Sequence, residues 1–547
     1  MKYNFKFLYV MATFVAVLSC EDYLIEDNIA NVASATYYPS PAGLEDAVKA
    51  TYGIMKEYYG PELGWTMGVF GTDTYQEGAD GSHKYVNRYD SGHNSAATYF
   101  RDTWRIFYRG INQANAVLNR SESVEGISET LKTSRVAEAR FLRGLYYFVL
   151  VRHYGDIHLS LEETEGVEVE ANKTSAGEIY KQAIVPDLEF AISNLPETQS
   201  DYGRATKAAA EFLLAKALMT RSYTDFAEGT DASRAESLMS NVINNYDFAL
   251  EESVMDMWSI NNESNKEFIW TVQNNKSQVD EGLDSYGHRG HLYFLMEYDK
   301  KPAMTRDTEN GRPWKRFRPT SYMLSLYDRT KDSRYDDTFK HVWYSNSEFP
   351  GLKIGDTALY IPGPGLDKNG VDQDAKWTDV AKSGVLHQVY TTGDYNNRTF
   401  PSLNKWIDNT RPNRQHTQGQ RDYVLMRLAD AYLIRAEARL KQGNTVGAAD
   451  DINVIRTRAA WDGKEADMQI TAADVDIYFI LEERARELLG ENHRWFDLTR
   501  TGKLIELVKK HNPTAADNIK EHNKLRPIPL EQIDRTDGGY EQNPGYN

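Results

Sequence analysis

Val424–Lys441 reads VLMRLADAYLIRAEARLK. Leu425, Leu428, Ala429, Tyr432 and Ala436 recur at three- and four-residue intervals, so the spacing predicts one apolar helix face over 424–441. Gly443-Asn444 makes a turn, and Val446–Ala459 repeats the pattern with Ala449, Ile452, Ile455 and Ala459. Alanine at contact positions lets two helices approach closely. The Ala-Glu-Ala-Arg of Ala436–Arg439 occurs once before, at Ala137–Arg140. Around that earlier copy lie four more periodic runs, Thr98–Asn119, Ser134–His153, Ser175–Leu195 and Lys207–Tyr223. Repeated helix pairs with small residues at their contacts are what a tetratricopeptide-like array requires, with a plain helical bundle as the other reading.

The expected fold class is therefore mostly α: a tetratricopeptide-like superhelix carrying an irregular, loop-rich half with a few short strands. The scaffold is placed at about 41–246 and 422–500 of one domain over 41–547, and the insert at about 247–421. The insert is rich in Gly, Asn, Pro and aromatics, with strand-like pieces such as Phe268–Val272. Irregular segments on a rigid scaffold are where binding usually sits.

The chain has 547 residues, 41% apolar and 26% charged, which excludes wholesale disorder and a polytopic membrane protein. With 63 basic and 80 acidic residues the net charge is −17, so a phosphate backbone is repelled and nucleic acid is not an expected partner. The one cysteine, Cys20, allows no intrachain disulfide. It closes MKYNFKFLYVMATFVAVLSC, in which Lys2 and Lys6 precede an apolar run too short to span a bilayer. Val17-Leu18-Ser19 ahead of Cys20 is a bacterial lipobox, so residues 1–19 read as a signal peptide. Cys20 reads as the lipid-bearing residue, and 20–40 as a tether. Acyl chains on its thiol and amine would anchor the protein stably.

Further strings carry a resemblance. Ala448–Ala459 reads AADDINVIRTRA, Ile480–Leu488 reads ILEERAREL, and Glu491–Arg500 reads ENHRWFDLTR. Leu525-Arg526-Pro527-Ile528-Pro529 and Gln542-Asn543-Pro544-Gly545-Tyr546 close the chain. Tyr154–Leu159, and Phe317–Thr320 through Asp332–Tyr335, add two more. Together, from lipobox to last residue, these strings resemble the SusD/RagB family of outer-membrane nutrient-binding lipoproteins; His158 stands where that family usually has proline. The resemblance implies a cell-surface, lipid-anchored protein of the outer membrane that is not an enzyme. It would capture an oligo- or polysaccharide and deliver it to a SusC-like, TonB-dependent transporter. Peptide capture is the alternative within the family. A surface glycosidase, needing two carboxylates about 5–10 Å apart across a cleft, and a scaffold that binds only proteins are the readings outside it.

Glu482, Glu483, Arg484, Arg486 and Glu487 sit at helical spacing that pairs opposite charges, which favours a salt-bridged scaffold over catalytic carboxylates. Arg494–Asp497 reads as a buried corner. No cofactor is expected. The acidic loop Asp367–Asp374 has oxygen ligands that suit calcium, but not in EF-hand register, and a solvated turn is the simpler reading. A glycan site needs aromatic faces to stack on sugars and polar groups to bind hydroxyls. Two segments have that composition, and they supply the candidates Trp65, Asp73, Tyr75 and Tyr89, then His288, Tyr293, Trp314 and Arg316. Trp65 and Trp314 lead, because each lies beside Gly or Pro outside a periodic run, where a ring is expected to be exposed.

Overall fold

The computed structural model describes residues 39–164, 166–274 and 287–546. The signal peptide, Cys20 and the tether up to residue 38 lie outside the described residues. The elements that matter are α1 (Pro41–Gly53), α2 (Glu62–Gly68), β1 (Tyr75–Glu77), α3 (Thr98–Ser121), α4 (Glu129–Tyr154), α5 (Val185–Asn194), α6 (Lys207–Arg221) and α7 (Asp231–Asn244). They are followed by β2 (Phe268–Val272), β3 (Phe317–Pro319), β4 (Tyr423–Arg427), α8 (Leu428–Lys441), α9 (Thr445–Arg458), α10 (Ile477–Glu487) and α11 (Arg494–Arg500).

The helices stack in a row. α3 packs on α4, α4 on α5, α5 on α6, α6 on α7, α7 on α8 and α8 on α9. Alanines line their seams: Ala429 and Ala436 in α8, from the stripe read in the sequence, and Ala208, Ala209, Ala215 and Ala217 in α6 are fully buried. Capping fixes the starts. Ser128, Thr206 and Asn444 accept from the third backbone N–H of α4, α6 and α9. A π-turn over Tyr180–Ile184 precedes α5, where Pro186 has no N–H to donate. The irregular half leaves the row after α7 and returns at α8, so neighbours in space are far apart in sequence.

The return differs from the expected helix over 424–441. Tyr423–Arg427 is a strand that pairs antiparallel with β2, with Tyr423 opposite Val272 and Arg427 opposite Phe268, and the helix starts at Leu428. Tyr423, Val424, Met426 and Arg427 are all buried, so their side chains carry no period that separates strand from helix. A second short ladder pairs β1 with β3, Tyr75 opposite Pro319, and joins the first loop segment to the insert.

Beside β4 two carboxyls share a poorly solvated corner. Asp422 N–H donates to Glu263 Oε1 at 2.8 Å, and Asn274 N–H donates to Asp422 Oδ1 at 2.8 Å. Burial, then the Asp422 charge, pushes Glu263 from 4.5 up to about 8; burial lifts Asp422 from 3.8 to about 6. A raised folded-state pKa stabilises fully below the unfolded value and is lost as pH rises through the folded one. Stability is therefore expected to fall between about pH 4.5 and 8, by on the order of a few kcal/mol. Glu263→Gln should raise the unfolding midpoint at pH 8.5 and leave it in place at pH 4.5. Equal pH slopes for the two proteins in thermal melts would contradict this assignment.

Candidate functional site

Six of the eight sequence-chosen residues are buried, and their expected role at an exposed surface is corrected. Trp65 has no exposed area; its Nε1 donates to the Gly490 carbonyl at 3.0 Å. Around it pack His288, Tyr293, Phe294, Trp406 and Tyr423, with ring centroids 5.1 to 6.0 Å away. The neighbouring glycines signal tight packing rather than a loop: a Cβ on Gly64 would overlap the Tyr58 carbonyl, and one on Gly68 the Asn492 side chain. Asp73 is buried in a bidentate pair with Arg494, which occupies both its oxygens. Tyr75 lies inside the β1–β3 ladder. Tyr89 is buried, its hydroxyl donating to the Gly71 carbonyl at 2.8 Å. His288 and Tyr293 belong to the cluster around Trp65.

Trp314 and Arg316 are half-buried, and the structure gathers other groups about them. The 312–316 segment is held from behind: Trp314 and Arg316 donate N–H to the carbonyls of Leu292 and Tyr293, at 2.7 and 2.9 Å. Gly78 donates back to the Arg316 carbonyl at 2.9 Å, and a Cβ on Gly78 would overlap the Lys315 carbonyl. Lys315 takes φ +43°, the left-handed region unfavourable to a side chain. Its ammonium is fixed by Asp80 and Glu297 at 3.0 and 3.2 Å. Strain held in place by surrounding bonds points to a local geometry that the fold maintains.

In front of this clamp, Trp314 meets Tyr293 edge-on at 6.0 Å. The guanidinium of Arg316 lies 5.0 Å from its ring centroid and that of Arg312 5.7 Å, within the reach of cation–π attraction. Arg316 Nε is 3.0 Å from Glu62 Oε1. Burial raises the Glu62 carboxyl and Arg316 offsets part of that. Arg316 also packs against Gly81. Two residues on, His83 stacks on Tyr99 at 3.5 Å and 20°. Burial, then Arg316, lowers His83 to about 4, so its imidazole is neutral at neutral pH. The patch thus offers half-buried aromatic rings, guanidinium donors, a carboxylate and a neutral imidazole. Tyr99 and Arg312 were missed in the sequence. Tyr99 sits on the stripe of α3 and reads as core; Arg312-Pro313-Trp314-Lys315-Arg316, with cations alternating around a ring, was the available signal for Arg312.

A separate cleft of about 790 Å³ opens beside α3, lined by Tyr108, Asn112, His158, Ser160 and Gln532 among others. None of the sequence-chosen residues lines it. In the Asp367–Asp374 loop, Asp367 accepts from the N–H groups of Asn369 and Val371 and from Gln373, and Asp372 caps the next helical turn. Among the described residues no cluster of three or more His, Cys, Asp or Glu is placed to hold a metal. Among them, too, no helix is long and apolar enough to cross a membrane.

The architecture is a helical array that carries an irregular half with an aromatic, arginine-flanked patch. Residues 266–546 match the model of the SusD family, and residues 34–219 a second model described as starch-binding associating with outer membrane. The chain belongs to the SusD family. A SusD-like protein of Formosa agariphila is 27% identical over 97% of this chain and 98% of its own. The starch-binding protein SusD of Bacteroides thetaiotaomicron is 25% identical over 80% of this chain and 76% of its own. Among solved structures, a laminarin-binding SusD-like protein superposes with a TM-score of 0.67 at 23% identity, covering 92% of this chain and 99% of that one. A SusD homologue from Bacteroides thetaiotaomicron reaches 0.74 at 20% identity, over 93% and 98%. These structural likenesses concern the fold.

Proposed function

We propose that the chain is a cell-surface lipoprotein that captures an oligo- or polysaccharide without cleaving it. It then delivers the glycan to a SusC-like, TonB-dependent transporter in the outer membrane. The observation that carries this reading is the patch at Trp314, a half-buried ring on a clamped, left-handed turn beside the His83–Tyr99 stack. Such rings take the apolar face of a sugar, while Arg316, Glu62 and the neutral His83 supply donors and acceptors for hydroxyls. The glycan-binding relatives, the lipobox at Cys20 and the family membership support the same reading. Lipid anchoring through Cys20 would hold the site at the outer membrane, within reach of a transporter.

Affinity electrophoresis through gels containing different polysaccharides tests capture. Retardation by one of them, with the polymer recovered uncleaved, is expected. Retardation by none, together with saturable binding of oligopeptides, would replace glycan capture by peptide capture. Co-purification with a TonB-dependent barrel from the native outer membrane tests delivery.

A further inference from the structure

Many buried cations of this chain are matched by carboxylates, although Arg526 and Arg421 donate to backbone carbonyls instead. Arg427 meets Glu267, Glu487 and Glu491, and Arg334 meets Asp332, Glu483 and Glu487. In a chain of net charge −17, such partners are plentiful. At the face around Trp314, cations without a carboxylate partner among the described residues stand beside a half-buried ring. Half-buried Arg312, over the Trp314 ring, has no carboxylate within ion-pairing distance among the described residues; its guanidinium donates to the Gln415 carbonyl at 2.5 Å. Arg411 is 3% exposed and donates only to the carbonyls of Asp408, His416, Asp307 and Thr308. Lys84, next to His83, donates to the carbonyls of Gly78 and Ala79 at 3.0 and 3.1 Å. Burial followed by Arg306 lowers Arg312, in keeping with a guanidinium that lacks a counter-ion.

A neutral sugar hydroxyl can accept from a guanidinium but does not neutralise its charge. A guanidinium set beside a stacking ring and left without an anion matches a planar or tetrahedral oxyanion, which it binds by two parallel N–H bonds. We infer that the patch takes an anionic glycan, whose carboxylate or sulfate groups pair with Arg312 while a sugar ring stacks on Trp314. This rests on the glycan reading above and narrows its ligand class.

The test uses the full-length chain in detergent and two matched pairs of polymers: polygalacturonate with its carboxyl-reduced form, and dextran sulfate with dextran. Binding of at least one charged polymer is expected, at least tenfold tighter than its neutral partner and weakened about tenfold between 50 and 500 mM NaCl, since screening acts on ion pairs. The pair that shows the difference tells carboxylate from sulfate. Arg312→Gln should remove at least tenfold of the charged-polymer affinity with the unfolding midpoint unchanged. Binding of neither charged polymer, equal affinity for a charged polymer and its neutral partner, or an Arg312→Gln variant that binds as before overturns the inference. If a neutral glycan is held in a Trp314-dependent manner while the charged polymers are ignored, capture stands and only the anionic assignment falls. If no polymer is held at all, both fall.

Discussion

Arg427→Ala is expected to destabilise the protein by about 3–5 kcal/mol, read as a lower urea midpoint of the main unfolding transition. Arg427 ends β4 at the point where the chain re-enters the helical row. It is 1% exposed, and its Nη1 lies 2.8 Å from both Glu267 Oε1 and Glu487 Oε1. Its Nε is 2.7 Å from Glu491 Oε2, and its Nη2 donates to the Glu487 carbonyl at 2.8 Å. One side chain thus joins the residue before β2, the end of α10 and the loop after it. Burial alone would raise the Glu487 carboxyl. The guanidinium groups of Arg458, Arg427 and Arg334 overcome this and hold it well below the ordinary range. Removing Arg427 leaves Glu267, Glu487 and Glu491 to Arg458, Arg334 and Lys405, one positive charge short in a dry interior, and that shortfall, more than the lost hydrogen bonds, sets the size of the effect. Should the alanine variant not accumulate, Glu487→Gln gives a milder reading, because it keeps the shape and removes one charge. Midpoints unchanged in both variants would show that the pairs around Arg427 roughly cancel their own desolvation.

The helical row was legible where a helix shows one face to its neighbours, as α3 does, which imprints the 3.6-residue period, and in α4 and α6, covered on most sides, from the long run and its alanines. Where both faces are covered the period disappears. That is why Val424–Arg427, buried except for half-buried Leu425, read as the first turn of a helix and belongs to a strand. The charged string of α10 was legible as scaffold from spacing, and Arg486 does pair with Glu483 and Glu482 within the helix, while Arg427, Arg334 and Arg456 reach it from segments that no local pattern links to it. The site was harder still. Glycine beside an aromatic fits an exposed loop and a tightly packed helix equally well, and at Trp65 the second holds because Gly64 and Gly68 leave room for Tyr58 and Asn492. Asp73 shows the same gap: its carboxylate suits a sugar hydroxyl, and only the fold brings Arg494, 421 residues on, to occupy it. Burial is a property of the assembled chain, and at a single aromatic or acidic position composition does not encode it.

Trp314→Ala is expected to weaken binding of the retarding glycan by at least tenfold, which corresponds to about 1.4 kcal/mol, with about 2 kcal/mol in reach of a buried aromatic anchor. The ring supplies the flat apolar area of the patch and lies under Arg312 and Arg316, so its loss removes a stacking face and two cation–π contacts together. Because Trp314 is half-buried and meets Tyr293 only edge-on, truncation should cost the fold little, and the unfolding midpoint serves as the internal check. Trp65→Ala is the instructive contrast. Its ring is enclosed by five aromatic neighbours, so the same truncation opens a cavity worth about 3–5 kcal/mol of stability. Any loss of binding there would follow the loss of the fold. Trp314→Phe, which keeps a smaller stacking face, should restore part of the affinity. If Trp314→Ala binds as the parent does while remaining folded, the ligand lies elsewhere on the molecule, and the 790 Å³ cleft beside α3 becomes the surface to mutate next, starting with Tyr108 and His158.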